Sequence, residues 1–128
     1  MNNILVIDDN QDITAMLETV LSSDTCHVQT AENGLAGLQL LREHPFDVVI
    51  TDIIMPEKDG YEVITEVNGM QPRPQVIAMT GGPMCLCQES RPEVANALNV
   101  QRVLFKPFSI DELLESLCLP DLGTGAMA

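Results

Sequence analysis

The fold is decided by four apolar residues that lead directly into two carboxylates near the start of the chain, Ile4-Leu5-Val6-Ile7-Asp8-Asp9. A second apolar run, Val48-Val49-Ile50, is followed by Thr51 and then by Asp52. Strands that are buried on both faces of a parallel sheet have continuous apolar runs, whereas half-buried strands alternate apolar and polar residues. We therefore expect both segments to be buried strands of a parallel sheet.

Strand-like runs alternate with helical patterns along the whole chain. The five predicted strands are Ile4–Ile7, Cys26–Thr30, Val48–Ile50, Val76–Met79 and Val103–Phe105. The five predicted helices are Ile13–Leu21, Leu35–Leu41 with Asn33 as its N-cap, Tyr61–Val67, Val94–Leu98 and Ile110–Leu117. Sequential βα units impose parallel strands with right-handed crossovers. The sequence thus predicts a single-domain α/β fold with a doubly wound, five-stranded parallel sheet.

The composition is that of a soluble globular domain with a strong acidic bias. The 128 residues are 45% hydrophobic, and 6 Lys and Arg stand against 19 Asp and Glu, which gives a formal net charge of −13. Such a charge repels nucleic-acid phosphates and anionic membranes, and no apolar run approaches the roughly 20 residues that span a bilayer. We expect a cytoplasmic protein with no direct nucleic-acid binding and no membrane insertion, in which residues 1–118 form the domain and residues 119–128 a flexible tail.

Polar residues that could bind a ligand or take part in a reaction lie where the predicted strands end. Asp8 and Asp9 follow the first strand, Asp52 the third, Thr80 the fourth and Lys106 the fifth. The carboxyl ends of parallel strands meet at one edge of the sheet, which is where open α/β sheets bind ligands. Taken singly, each residue is explained as well by helix capping or by strand preference. As a set, they favour one functional site.

Three carboxylates in one crevice repel one another unless a cation compensates their charge. Mg²⁺ suits such a site, because it takes few protein carboxylates, keeps waters and shares phosphate oxygens. Lys106 is one of only two lysines in the chain and would supply a positive charge beside a phosphoryl group. Thr80 can donate a hydrogen bond to the same group. These are the parts that phosphoryl transfer requires.

These residues resemble the receiver domain of two-component response regulators, the phosphoacceptor fold shared with the bacterial chemotaxis response regulator. The resemblance covers about residues 3–118, and its marks are Ile4–Asn10, Val48–Pro56 with Asp59-Gly60, Met79-Thr80 and Phe105–Phe108. It implies a flavodoxin-like (βα)5 sheet with the strand order 2-1-3-4-5. It also implies a signalling module rather than an enzyme.

Carried over residue by residue, the resemblance implies that Asp52 accepts a phosphoryl group from a sensor histidine kinase or a histidine phosphotransfer protein. Asp8, Asp9 and Asp52 would hold Mg²⁺ together with the backbone carbonyl of Ile53. Thr80 and Lys106 would contact the phosphoryl oxygens, and a cis bond would precede Pro107. The phosphorylated form would then dock to a downstream protein target.

The sequence departs from the family pattern at positions that transmit the phosphorylation signal to partners and at positions that set the rate of dephosphorylation. Val103 stands where the family has an aromatic switch residue, three positions before Lys106. The interval from Thr80 to Lys106 is longer than usual, with the surplus expected in Gly81–Pro92. Ile54 and Gly82 carry no polar side chain that could orient a hydrolytic water. We therefore expect slow autodephosphorylation and an altered partner surface.

Other signals favour structural roles or competing functions. We interpret Cys26 and Cys118 as buried apolar residues and Met16, Met55 and Met79 as core or near-core residues. Cys85 and Cys87 lack the spacing of a structural zinc site. His27 and His44 lie away from the strand ends, so the phosphodonor is expected on another protein. The alternatives are a receiver that binds partners without phosphorylation, a Mg²⁺-dependent phosphatase and a receiver fragment of a hybrid kinase. The Asp8-Asp9 pair argues against the phosphatase, which typically has an Asp-x-Asp pattern at this place.

Overall fold

Five strands and four helices lie within residues 2–53, 60–80, 102–105 and 109–116, the parts of the chain that the computed structural model describes. The strands are β1 (Asn2–Ile7), β2 (Cys26–Ala31), β3 (Val48–Asp52), β4 (Gln75–Thr80) and β5 (Arg102–Phe105). The helices are α1 (Gln11–Leu21), α2 (Gly34–Glu43), α3 (Gly60–Asn68) and α4 (Ile110–Ser116). All five strand predictions are confirmed, as are four helix predictions. The predicted helix Val94–Leu98 lies outside the described residues.

The strands form one parallel sheet in the order β2-β1-β3-β4-β5, as predicted. The order reverses between β1 and β3, which lie side by side although they are not consecutive in the chain. Their register pairs Ile7 with Thr51. Asp8, which follows β1, and Asp52, the last residue of β3, therefore lie at the same level of the sheet.

Both faces of the sheet are covered, which explains the continuous apolar runs. On one face, Val49 of β3 belongs to a core cluster that includes Leu38 of α2 and Val63 of α3. On the other face, Ile50 belongs to a cluster with Leu17 of α1 and Leu113 of α4. Successive residues of a strand point to opposite faces. A single strand thus supplies both halves of the core.

Polar side chains define where three of the helices begin. Asn33 caps α2 as predicted, since its side-chain oxygen accepts the N–H of Ala36 at 2.7 Å. Ser109 and Glu112 form a reciprocal capping box at the start of α4, with main-chain to side-chain bonds of 3.0 and 3.2 Å. Asn10 caps α1. Each cap satisfies N–H groups that a helix leaves unpaired in its first turn.

The expectation that Met16 lies in or near the core is wrong, because the residue is 39% exposed. Leu17 and Leu21 are the buried residues of α1. At about 100° per residue, Met16 lies roughly 120° from the midpoint of these two on the helix surface. Met79 and Cys26 are buried as expected. Ile110 on α4 is 48% exposed, for which the described residues offer no explanation.

Several predictions concern residues outside the described parts of the chain. They are the lengthened loop Gly81–Pro92, the cis bond before Pro107, the tail at residues 119–128, and the side chains of Ile54, Met55, Cys85, Cys87, Lys106 and Cys118. In the described residues, none of the helices has the length and apolar character needed to cross a bilayer.

Candidate functional site

Asp8 is held in a defined place at the carboxyl end of β1. Its N–H donates to the carbonyl of Ala31 at 3.1 Å, which continues the pairing with β2 one residue past the end of β1. Its carboxylate oxygen Oδ1 accepts the N–H of Asn10 at 2.9 Å. The residue is fully buried. Asp8 therefore presents its carboxylate from a fixed backbone.

Asn10 links this carboxylate to the start of α1. Its backbone is extended, and its side-chain oxygen accepts the N–H of Asp12 at 2.9 Å. Its carbonyl accepts the N–H groups of Ile13 and Thr14 at 3.1 and 3.2 Å. The N-terminus of a helix favours negative charge nearby. Asp8 and Asp9 thus lie immediately before the N-terminus of α1, where negative charge is favourable.

Asp52 is the last residue of β3, and only 8% of it is exposed. The next residue, Ile53, has a buried side chain and donates its N–H to the carbonyl of Met79 at 3.0 Å. The hydroxyl of Thr51 donates to the carbonyl of Asp52 at 2.9 Å. The peptide group between Asp52 and Ile53 is therefore held by hydrogen bonds at both its C=O and its N–H.

The structure brings the predicted carboxylate trio together. One carboxylate oxygen from each of Asp8, Asp9 and Asp52 lies within 4.8 Å of the others. Asp8 and Asp52 are buried, whereas Asp9 is exposed. Oxygen donors at such separations, open to solvent on one side, suit a hard divalent cation that keeps several waters. Within the described parts of the chain, this trio is the group of acidic, His or Cys residues that could hold a metal ion.

The other predicted site residues are placed only in part. Thr80 is the last residue of β4, one position beyond Met79, which pairs with Asp52. Its main chain therefore reaches the same edge of the sheet as the trio. β5 ends at Phe105, the residue before Lys106, which itself lies outside the described residues. Val103 pairs with Ala78 and is buried in the core cluster that contains Val49.

The two histidines lie away from this edge. His27 is exposed on β2, where it pairs with Asn3 at the opposite end of the sheet. His44 is exposed and forms the C-cap of α2. Cys26 is a free thiol buried in the core. These positions agree with the sequence-based interpretation that these residues take no part in the site.

Comparison with known proteins identifies the family. The sequence model of the response regulator receiver domain family matches residues 4–118. The chain belongs to this family. It is therefore a signalling module of two-component systems, in which receiver domains interact with histidine kinases or phosphotransfer proteins.

Individual relatives resemble the chain over nearly its whole length. It is 30% identical to the response regulator receiver protein CpdR of Brucella abortus, over 91% of this chain and 94% of that protein. A receiver domain from Clostridium thermocellum superimposes with a TM-score of 0.76 at 30% identity, over 91% and 90% of the two chains. The response regulator TrrA of Thermotoga maritima, solved in complex with Mg²⁺-BeF, superimposes with a TM-score of 0.72 at 30% identity. The match covers 90% of this chain and 95% of that chain.

Two contacts at the site were not predicted from the sequence. The cap made by Asn10 could have been found, because an Asn before a helical apolar pattern is a start signal. The hydrogen bond from Thr51 to the carbonyl of Asp52 has no such signal, since it depends on the course of the main chain where β3 ends.

Proposed function

We propose that this receiver accepts a phosphoryl group on Asp52 from a sensor histidine kinase or a histidine phosphotransfer protein, with Mg²⁺ as cofactor. The phosphorylated form then signals by docking to a downstream protein. The observation that carries the proposal is the convergence of Asp8, Asp9 and Asp52 within 4.8 Å at the carboxyl edge of the sheet. A cluster of buried and exposed carboxylates on neighbouring strands has little use in folding, since its members repel one another.

The donor set fits Mg²⁺. Asp8, Asp9 and Asp52 supply hard carboxylate oxygens, and the main-chain carbonyl of Ile53 is the proposed fourth protein ligand. Support comes from the structure of TrrA, which contains Mg²⁺ together with BeF. When bound, the ion neutralises charge that develops on the phosphoryl oxygens.

In the proposed transfer, a carboxylate oxygen of Asp52 attacks the phosphorus of a phosphohistidine. The new O–P bond forms as the P–N bond breaks, and the electron pair of that bond returns to the imidazole nitrogen. The partner supplies both the phosphoryl group and the leaving group, so this chain needs no nucleotide. Thr80 donates a hydrogen bond to the phosphoryl oxygens, and Lys106 contributes the positive charge.

The same proposal assigns the chain a signalling role rather than catalytic turnover. Ile54 and Gly82 carry no group that could orient an attacking water, so the acyl phosphate hydrolyses slowly. A phosphoprotein lifetime of seconds would contradict this assignment. The receiver is proposed to comprise residues 1–118, and the acidic chain to work in the cytoplasm without binding nucleic acid or membrane.

The readout differs from the usual aromatic switch. Val103 is buried in β5 and offers no ring whose rotation could report phosphorylation. The segment Gly81–Pro92 is the proposed partner surface. Shortening this segment to the usual family length should change the affinity for the downstream partner and leave phosphorylation of Asp52 intact.

Intact mass after incubation with Mg²⁺ and acetyl phosphate tests the central assignment. We expect the wild type to gain one phosphoryl group, with the gain lost without Mg²⁺ and in Asp52→Asn. Asp47→Asn is the matched control, because Asp47 stands at the other end of the same strand and should leave the gain intact. If the wild type gains no mass from acetyl phosphate or from a histidine kinase, the chain binds partners without phosphorylation.

A further inference from the structure

Thr51 places a fully buried hydroxyl in a strand that is otherwise apolar until Asp52. It pairs in register with Ile7 of β1 and Ala78 of β4, both of which are also fully buried. Strand alternation puts it on the face of the sheet that carries Val49 and Ile53. A buried hydroxyl is costly unless it is hydrogen-bonded. The fold alone would be served as well by valine, which has nearly the same shape and a strong strand preference.

The hydroxyl has a specific acceptor. Thr51 Oγ1 donates to the carbonyl oxygen of Asp52 at 2.9 Å. The N–H of the same peptide group belongs to Ile53 and donates to the carbonyl of Met79 at 3.0 Å. Because a peptide group is planar, holding its C=O and its N–H fixes its orientation. The peptide between Asp52 and Ile53 is thus held at both of its polar atoms.

We propose that Thr51 is a positioning residue, whose hydroxyl orients the peptide that joins the phosphoacceptor Asp52 to the metal-ligand carbonyl of Ile53. This inference rests on the proposed function of the carboxylate trio. Thr51 acts through the main chain and touches neither the metal nor the phosphoryl group. Its side chain lies on the opposite face of β3 from that of Asp52, since the two residues are consecutive in the strand.

The position of this peptide matters because Asp52 and Ile53 contribute two of the four proposed ligands. The buried side chain of Ile53 and the bond to Met79 anchor its far side, and the bond from Thr51 anchors its near side. Loss of a hydrogen bond behind a metal ligand typically costs tenfold or more in affinity. We expect the low end of this range, because the bond from Ile53 to Met79 remains.

Comparison of the wild type with three variants separates the effect of the Thr51 hydroxyl from the effect of the side-chain volume. Thr51 and Thr51→Ser keep the hydroxyl, whereas Thr51→Val and Thr51→Ala lack it. Thr51 and Thr51→Val keep both branches of the side chain, whereas Thr51→Ser loses the methyl group and Thr51→Ala loses both branches. Calorimetric titration with Mg²⁺ alone gives the dissociation constant, and thermal unfolding by circular dichroism gives the stability of each form.

If Thr51 positions the peptide, the Mg²⁺ dissociation constant follows the hydroxyl and rises about tenfold in Thr51→Val and Thr51→Ala. The midpoint of unfolding should instead follow the volume, with Thr51→Val close to the wild type. Val49→Ala is the matched control, because it opens a cavity on the same face two residues earlier without touching the hydrogen bond. Its dissociation constant should equal that of the wild type.

A dissociation constant that follows the volume, or that is equal in all four forms, would overturn the inference and leave the proposed function standing. Failure of the wild type to bind Mg²⁺ would overturn the proposed function and the inference with it. If Thr51→Val does not fold, the comparison of Thr51→Ser with Thr51→Ala still differs by one oxygen atom and decides the question.

Discussion

The two ends of β3 each carry an aspartate, and the two residues lie in opposite surroundings. Asp47, just before the strand, is exposed, and its carboxylate accepts the N–H of Asn3 at 2.7 Å. Its own N–H donates to the carbonyl of Asn3 at 2.8 Å, and its carbonyl accepts the N–H of Gln75 at 2.9 Å. It therefore ties the start of β3 to both neighbouring strands. Asp52, at the other end, lies within 4.8 Å of two further carboxylates.

The difference shows how one sheet separates stability from function. At the amino edge, the carboxylate of Asp47 accepts the backbone N–H of Asn3 and strengthens the connection between β3 and β1. At the carboxyl edge, three carboxylates lie close enough to repel one another and could together hold a metal ion. Active sites commonly lower stability in this way. Charge substitutions at the two ends should consequently change stability in opposite directions.

The largest effect is expected for Asp52→Asn in the absence of metal. Removing one charge from the trio should raise the free energy of unfolding by about 2 kcal/mol, since nearby like charges at an effective dielectric constant near 20 repel by a few kcal/mol. Urea unfolding in EDTA measures the change. Saturating Mg²⁺ should stabilise the wild type more than the variant, because the ion binds the folded state. A variant less stable than the wild type in EDTA would contradict net repulsion at this edge.

Asp47→Ala should change the free energy of unfolding in the opposite direction to Asp52→Asn. Loss of the acceptor for the N–H of Asn3 is expected to lower the free energy of unfolding by about 1–2 kcal/mol. The same urea titration measures it, and Asp47→Asn, which keeps one acceptor oxygen, should lose less. Phosphorylation from acetyl phosphate should remain at the wild-type level in both variants. Loss of phosphorylation in a folded Asp47→Ala protein would show that the two edges are not independent.

A smaller effect distinguishes the two asparagine caps. Asn10 and Asn33 each cap a helix through a side-chain oxygen, at 2.9 and 2.7 Å, but only Asn10 adjoins the carboxylate trio. Aspartate is as good an N-cap as asparagine and suits the helix dipole. Asn33→Asp should therefore be neutral or slightly stabilising. Asn10→Asp places another charge beside the trio and should lose about 0.5–1 kcal/mol relative to Asn33→Asp.

Unfolding of both variants in EDTA and in Mg²⁺ measures this difference. The difference between the two should shrink in Mg²⁺, because the cation compensates the added charge. Equal stabilities for Asn10→Asp and Asn33→Asp in EDTA would mean that the trio does not measurably repel a negative charge at the cap of α1.

The sheet and the carboxylate trio could be predicted because both follow from the order of the residues. A strand buried on two faces has to be continuously apolar, as Ile4–Ile7 and Val48–Ile50 are. In a parallel sheet, residues that follow such runs have to emerge at one edge, which brings Asp8 and Asp52 together. Neither inference requires knowledge of any side-chain conformation.

The features that escaped prediction depend on angles and distances that sequence spacing does not determine. The spacing of the apolar residues in α1 indicates a face but not its centre, so Met16 was assigned to a core that Leu17 and Leu21 occupy. Thr51 reads as an ordinary strand residue, because sequence spacing does not show that its hydroxyl meets the carbonyl of Asp52. Such contacts belong to the ends of strands, where the chain leaves the regular ladder.

The smallest effect is expected for the ion pair between Arg42 and Glu66, in the last turns of α2 and α3. The guanidinium nitrogen Nη2 lies 3.3 and 3.1 Å from the two carboxylate oxygens, and the side chains are 61% and 39% exposed. Exposed pairs are screened by water and salt. A double-mutant cycle with Arg42→Ala and Glu66→Ala should give a coupling of about 0.3–0.5 kcal/mol that disappears in high salt. A coupling as large as the loss in Asp47→Ala would mean that an exposed ion pair stabilises the fold as much as a carboxylate that accepts a backbone N–H.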